Sequence, residues 1–192
     1  MRKINGAIFK NINTYANRGM TLEADLEASN NYYLVNDIAV IYKKPTPITI
    51  SKVNYPSRSL AVIKEGYFST PSTTDYNGIY KGKYIDFEAK ETKLKTSFPL
   101  NNIHEHQIKH LRRIYKHGGI GFLIVRFTSI NKTFFLSVES LINFLNENSR
   151  KSIPLSYFEE NGYIINDKYN PRVDYLEIVD NIYFNGGSLW TT

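Results

Sequence analysis

Three residues in the middle of the chain have the types and spacing for phosphodiester chemistry. Asp75 stands 13 residues before Glu88, and Lys90 follows Glu88 by two. Residues at i and i+2 of a strand share a face. In YIDFEAKETK (residues 84–93), Asp86, Glu88 and Lys90 therefore project to one side, and Ile85, Phe87 and Ala89 to the other. If Asp75 enters one strand and Glu88 lies on its hairpin partner, the two carboxylates meet. Carboxylate oxygens are the ligands that Mg²⁺ or Mn²⁺ prefers. A cation so held polarises a phosphodiester and lowers the pKa of a bound water. A lysine on the same face can stabilise charge developing on the phosphate, or position the attacking water. The same letters also arise by chance in a chain that is 22% charged, where Glu and Lys at i and i+2 usually mark the solvated face of a half-buried strand.

The elements that must position these residues can be read along the chain. MTLEADLEASNNYY predicts a helix capped by Thr21, with Leu22, Leu26 and Tyr33 near one face. Strand-like segments follow at IAVIYKK, ITISKV and SLAVIKEGYF, punctuated by Pro45, Pro47, Pro56 and Pro71. DYNGIYKGKYIDFEAK reads as a hairpin or meander, with Asn77-Gly78 and Lys81-Gly82 both turn candidates. HEHQIKHLRRIYKH predicts a helix with an Ile108, Leu111 and Tyr115 stripe, ended by Gly118-Gly119. Gln107 shares the side of Leu111 and Ile114, so it needs a polar partner there. IGFLIVRF is a continuous apolar run that suits a strand covered on both faces, with KTFFLSV beside it. ESLINFLNEN is a short helix. Ser156 with Glu159, and Asp174 with Glu177, have the spacing of capping boxes before two further helices. Mixed strands and helices, with a helix between buried strands, predict an α/β layer fold.

Composition bounds the setting. The 192 residues fit one domain and hold no cysteine, which excludes disulfides and thiolate metal sites and fits a reducing, cytoplasmic compartment. No apolar stretch is long enough to span a bilayer, and the start MRKINGAIFKNINTY has no signal-peptide pattern, so a soluble protein without a membrane partner is expected. The net charge of +6 attracts polyanions, nucleic acid foremost. Lys109, Arg112, Arg113 and Lys116 crowd the outer side of the helix that carries Gln107, and Lys93 and Lys95 follow the Glu88 strand. They are candidates for backbone phosphate contacts, or simply a solvated surface. His106 and His110 are four apart on the same helix, a spacing that can bind zinc, but HEHQI lacks the second histidine of a zincin motif.

The strings NRGMTLEADLEASN, KKPTP, PSTTDYNGIYKGKYIDFEAKETK, FPLNNIHEHQIKHL and HGGIGFLIVRF resemble, in order and spacing, the RecU-type Holliday junction resolvases. The resemblance spans roughly residues 17–185. It implies a restriction-endonuclease-like core of the PD-(D/E)xK superfamily, with a central mixed β-sheet flanked by helices. It implies a single nuclease domain over 1–192, a flexible N-terminal arm over 1–16 and a projecting β stalk over 43–72 that engages the junction. The implied activity is magnesium-dependent nicking of four-way DNA junctions at symmetric positions by a homodimer, with Mn²⁺ as an alternative ion and one or two ions per site. Recombinase or branch-migration partners belong to the same picture of recombination and DNA repair. Carried over by position, the metal site is Thr73, Asp75, Glu88 and Gln107, and Lys90 is the transition-state stabiliser. Lys43 and Lys44 join the DNA-binding set at the stalk base. Thr74 stands where the superfamily motif has proline, and Glu23 on the first helix is left outside the site. Two alternatives stay open: a junction-binding protein that does not cut, and another nuclease of the superfamily acting on duplex DNA.

Overall fold

The computed structural model describes residues 21–68 and 73–185. The expected arm over 1–16 lies outside them, as do the last four residues of the 43–72 segment. The fold is α/β. A six-stranded mixed sheet has the order β1-β4-β5-β7-β8-β10, formed by β1 (Val40–Lys43), β4 (Tyr76–Tyr80), β5 (Lys83–Thr92), β7 (Ile120–Phe127), β8 (Lys132–Ser137) and β10 (Tyr163–Ile165). Among the described residues, only β5 and β7 pair in parallel. The crossover between them is α2 (Glu105–Lys116), as a parallel connection requires.

The sheet separates two apolar layers. On one face, α1 (Leu22–Val35) and α5 (Tyr175–Tyr183) cover Ile85, Phe87, Phe122 and Ile124. On the other, α2, α3 (Val138–Glu147) and α4 (Leu155–Asn161) cover Leu123, Val125, Phe127 and Leu136. All eight residues of β7 are buried, because alternate side chains feed both layers. Phe87 sits centrally, stacked on Tyr76 at 4.8 Å and on Phe122 at 4.7 Å. A buried Asp25–Arg126 pair, joined by Arg172, fastens α1 to β7.

β2 (Ile48–Asn54) and β3 (Val62–Phe68) form a separate antiparallel hairpin whose strands, among the described residues, pair only with each other. All its residues are exposed. Short β6 (Ser97–Pro99) pairs with β9 (Ser152–Pro154) beside the second layer.

Several local expectations are met. Thr21 caps α1 by accepting from the Ala24 N–H. Lys81 (φ 46°) and Gly82 (φ 75°) form the two-residue turn between β4 and β5, in the left-handed conformation such hairpins need. Others are corrected. Asn77-Gly78 is not a turn: both residues lie inside β4 and pair with β5, and a Cβ on Gly78 would lie 2.0 Å from the Val40 carbonyl oxygen. That glycine lets β1 approach β4. Ser156 lies inside α4, whose N-cap is Pro154, and Glu159 pairs instead with Lys132. Asp174 does precede α5, but its carboxylate accepts from Tyr33 and Lys168 rather than capping the helix. Tyr115 is 43% exposed, so the α2 stripe narrows to Leu111 with Ile108 and Ile114 half-buried.

Candidate active site

β5 is not half-buried as its alternation predicts. Ile85 through Glu88 are all buried, because one face meets α1 and α5 and the other meets α2. The carboxylates of Asp86 and Glu88 are thus enclosed beneath α2. The register pairs Tyr76 with Phe87, which sets Asp75, one residue before β4, across from Glu88. The Asp75 carboxylate accepts from the Ala89 N–H at 3.3 Å. The structure therefore brings Asp75, Glu88 and Lys90 together as the spacing predicts.

Glu88 Oε1 accepts from Gln107 Nε2 at 2.8 Å and pairs with the Lys90 ammonium. Glu88 Oε2 is buried and has no hydrogen-bond partner among the described residues. Burial, then the Asp75 charge, raise the Glu88 carboxyl from its ordinary 4.5 to about 7, against the opposing pull of Lys90. An acceptor oxygen enclosed without a donor is costly unless a cation or proton meets it.

Gln107 explains its place on the apolar side of α2. Its Oε1 accepts the His104 N–H at 2.9 Å at the start of the helix, while its amide donates to Glu88. As placed, Gln107 orients Glu88, and its oxygen is engaged at the helix cap.

A cleft of about 350 Å³ opens beside these groups, lined by Glu23, Lys43, Asp75, Lys90 and Glu91 among others. Glu23, set aside on sequence grounds, borders this cleft and pairs with Lys43. Lys43 also lies 3.6 Å from Glu27. Glu91 reaches behind the strand to accept the Leu22 N–H at 2.9 Å, fixing the start of α1 against β5.

Thr73 is exposed, and its hydroxyl accepts from Lys44 at 3.0 Å. Lys44 is drawn inward. Its side chain is 15% exposed, and its ammonium meets Thr73, Thr74 and Asp86. Lys93, Lys95, Arg112, Arg113 and Lys116 are exposed, and Lys109 pairs with Glu105 one turn back. His106 and His110 do not converge: His106 stacks on His104, while His110 Nε2 meets Asp86 at 3.0 Å. Among the described residues no three His, Cys, Asp or Glu cluster as a ready metal cage.

Sequence reasoning missed the surroundings of Asp86. Its carboxylate lies on the Glu88 face and takes Lys44, Thr74, Tyr84 and His110. The available signal was α2 itself: Gln107 and His110, three apart, sit over Glu88 and Asp86, two apart on the strand.

Two facing carboxylates, one with a buried unpartnered oxygen and a lysine beside it, define a site chemically fitted to a hard divalent cation. The chain belongs to the RecU family, Recombination protein U, whose model matches residues 17–181. It is similar to proteins named Holliday junction resolvase RecU. That of Geobacillus sp. (strain WCH70) is 57% identical over 174 residues, covering 89% of this chain and 87% of the relative. That of Bacillus cereus (strain G9842) is 53% identical over 175 residues, covering 90% and 88%. A distant likeness, with TM-score 0.44 and 14% identity, links 74% of this chain to 93% of Archaeoglobus fulgidus Hjc, a Holliday junction resolvase. Among the described residues no helix is long and apolar enough to cross a membrane.

Proposed function

We propose that this chain is a Holliday junction resolvase, a metal-dependent endonuclease that nicks four-way DNA junctions in recombination and repair. One observation carries the chemistry: the Glu88 carboxylate, with one buried oxygen unpartnered, lies close to Asp75 and pairs with Lys90. Relatives above 50% identity that are named resolvases support the substrate. In this reading the core is restriction-endonuclease-like, within a single domain.

Asp75 and Glu88 would hold Mg²⁺ or Mn²⁺, with Thr73 and Gln107 completing the set directly or through water. The bound cation would polarise the scissile phosphate and lower the pKa of the attacking water. Gln107 fixes the Glu88 carboxylate, and Lys90 stands ready to stabilise negative charge on the phosphate. The exposed Lys93 and Lys95 follow β5, and the exposed Arg112, Arg113 and Lys116 lie on α2, where they can follow a DNA backbone toward the cleft. The exposed β2–β3 hairpin is the projecting element that reads junction shape. Two nicks in a two-fold symmetric junction call for two related sites, so the working unit is a homodimer. Recombinase or branch-migration proteins are the expected partners, in the cytoplasm.

The test is cleavage of an end-labelled mobile four-way junction with Mg²⁺ and Mn²⁺ in turn. Paired symmetric nicks from wild type, absent from Glu88→Gln, are expected. Tight binding without nicks by both proteins would leave a junction-binding protein, and faster cutting of linear duplex would make it another nuclease.

A further inference from the structure

We propose that Asp86 is a positioning residue for this site, and that its buried carboxylate couples the base of the β2–β3 hairpin to the Asp75 segment. The inference rests on the nuclease reading above.

Asp86 is fully buried, and four side chains converge on it. Lys44 Nζ approaches Oδ2 at 2.7 Å, the Tyr84 hydroxyl at 3.0 Å and His110 Nε2 at 3.0 Å. Thr74 donates to Oδ1. Lys44 in turn meets three oxygens, on Thr73 at 3.0 Å, Thr74 at 2.5 Å and Asp86. Its backbone N–H donates to the Asp75 carbonyl at 2.7 Å. Four donors around a buried carboxylate make a rigid junction, because Asp86 would be costly to leave unpaired.

The position of the network gives it a role. Lys44 directly follows β1, and Thr73 and Thr74 lead into β4. These are the two roots of the β2–β3 hairpin, whose strands pair, among the described residues, only with each other. Three of the segments that the Asp86 network holds also carry a proposed site residue. Thr74 precedes Asp75. His110 is one turn beyond Gln107 on α2. Asp86 is two residues before Glu88 on the same face. Asp86 touches none of those donors, yet it fixes the backbone beneath each. A pull on the hairpin by bound DNA reaches Asp75 through Lys44 and Thr74. Lys44 is therefore assigned here to the protein side of the site, rather than to DNA contact.

The experiment compares wild type with Asp86→Asn, Thr74→Val and Thr74→Ser. Mn²⁺ binding to the DNA-free protein is measured by titration calorimetry, and junction binding by gel shift without divalent ions. Nicking is followed across Mn²⁺ concentration, with thermal midpoints as the folding control. Groups that orient metal ligands typically change affinity by about 10–100-fold when removed, so Asp86→Asn and Thr74→Val should weaken Mn²⁺ binding by that factor. The Mn²⁺ needed for half-maximal nicking should rise in step, junction affinity should stay near wild type, and Thr74→Ser should restore both. If Asp86→Asn does not fold, the isosteric Thr74→Val decides. Wild-type Mn²⁺ affinity in a folded Thr74→Val would overturn the positioning role while leaving the nuclease reading intact. A wild-type protein that neither binds Mn²⁺ nor cuts would remove that reading and the inference together.

Discussion

Asp86 and Glu88 stand two residues apart on one face of β5, and both are fully buried beneath α2. Their surroundings differ. Asp86 is saturated by Lys44, Thr74, Tyr84 and His110. Glu88 takes Gln107 and Lys90 on one oxygen and leaves the other without a partner. The first is what a folded interior does with a charge it must keep: it supplies a cation and enough donors to replace water. The second is incomplete, and burial pushes its carboxyl up to about 7 as a result. Two carboxylates on one strand face thus differ: the fold satisfies Asp86 fully and leaves one oxygen of Glu88 without a donor.

The comparison breaks most sharply by removing each carboxylate in turn. Asp86→Leu strands the Lys44 ammonium among groups that have lost their acceptor, and should destabilise the protein by about 3–5 kcal/mol. Urea denaturation of metal-free protein at pH 8 measures this. Glu88→Gln in the same assay should cost nothing or raise stability. Equal losses from both would mean that Glu88 is as well satisfied as Asp86. Next in size is Lys90→Ala, which should slow junction nicking by about 10²-fold and leave junction binding largely intact. A large loss of binding instead would make Lys90 a phosphate anchor.

The pH dependence of stability sharpens the contrast further. The folded state holds the Glu88 proton to a higher pH than the unfolded chain does. Its contribution to stability is therefore present below the ordinary 4.5 and is lost as pH rises through about 7. Metal-free wild type should lose melting temperature relative to Glu88→Gln between pH 5 and 8.5, by roughly 5–10 °C at about 2–4 °C for each kcal/mol in a chain of this size. A pH-independent difference would mean that Glu88 titrates as it does in water.

Much of this arrangement was legible in the sequence where the cause is local. The Thr21 cap, the Lys81-Gly82 turn and the all-buried β7 follow from neighbouring residues. The Asp75–Glu88 pairing followed from a hairpin of the right length. The Asp86 network was not legible, because its Lys44 and His110 partners are 42 and 24 residues away and are supplied by the segment after β1 and by a crossover helix. Tertiary partners also decided the caps. Glu159 fits a capping box but is taken by Lys132, and Asp174 by Tyr33 and Lys168. Gly78 read as a turn residue because a glycine needed for close strand approach carries the same letter.

The smallest expected effect concerns the outer face of α2, where sequence reading left phosphate contact and solvated surface undecided. The helix has two sides with opposite duties. Gln107 and His110 face the carboxylates of β5, whereas Arg112, Arg113 and Lys116 are exposed to solvent. A side chain that neutralises one phosphate releases about one counterion. Arg112→Gln should therefore weaken junction binding modestly and reduce the slope of log affinity against log salt by about 1. The nicking rate of saturated complex should not change, since Arg112 lies away from the inward side that holds Glu88. Binding titrations over a range of salt concentrations measure the slope. An unchanged slope would return Arg112 to solvent, and a fall in the saturated nicking rate would show that the two sides of α2 are not independent.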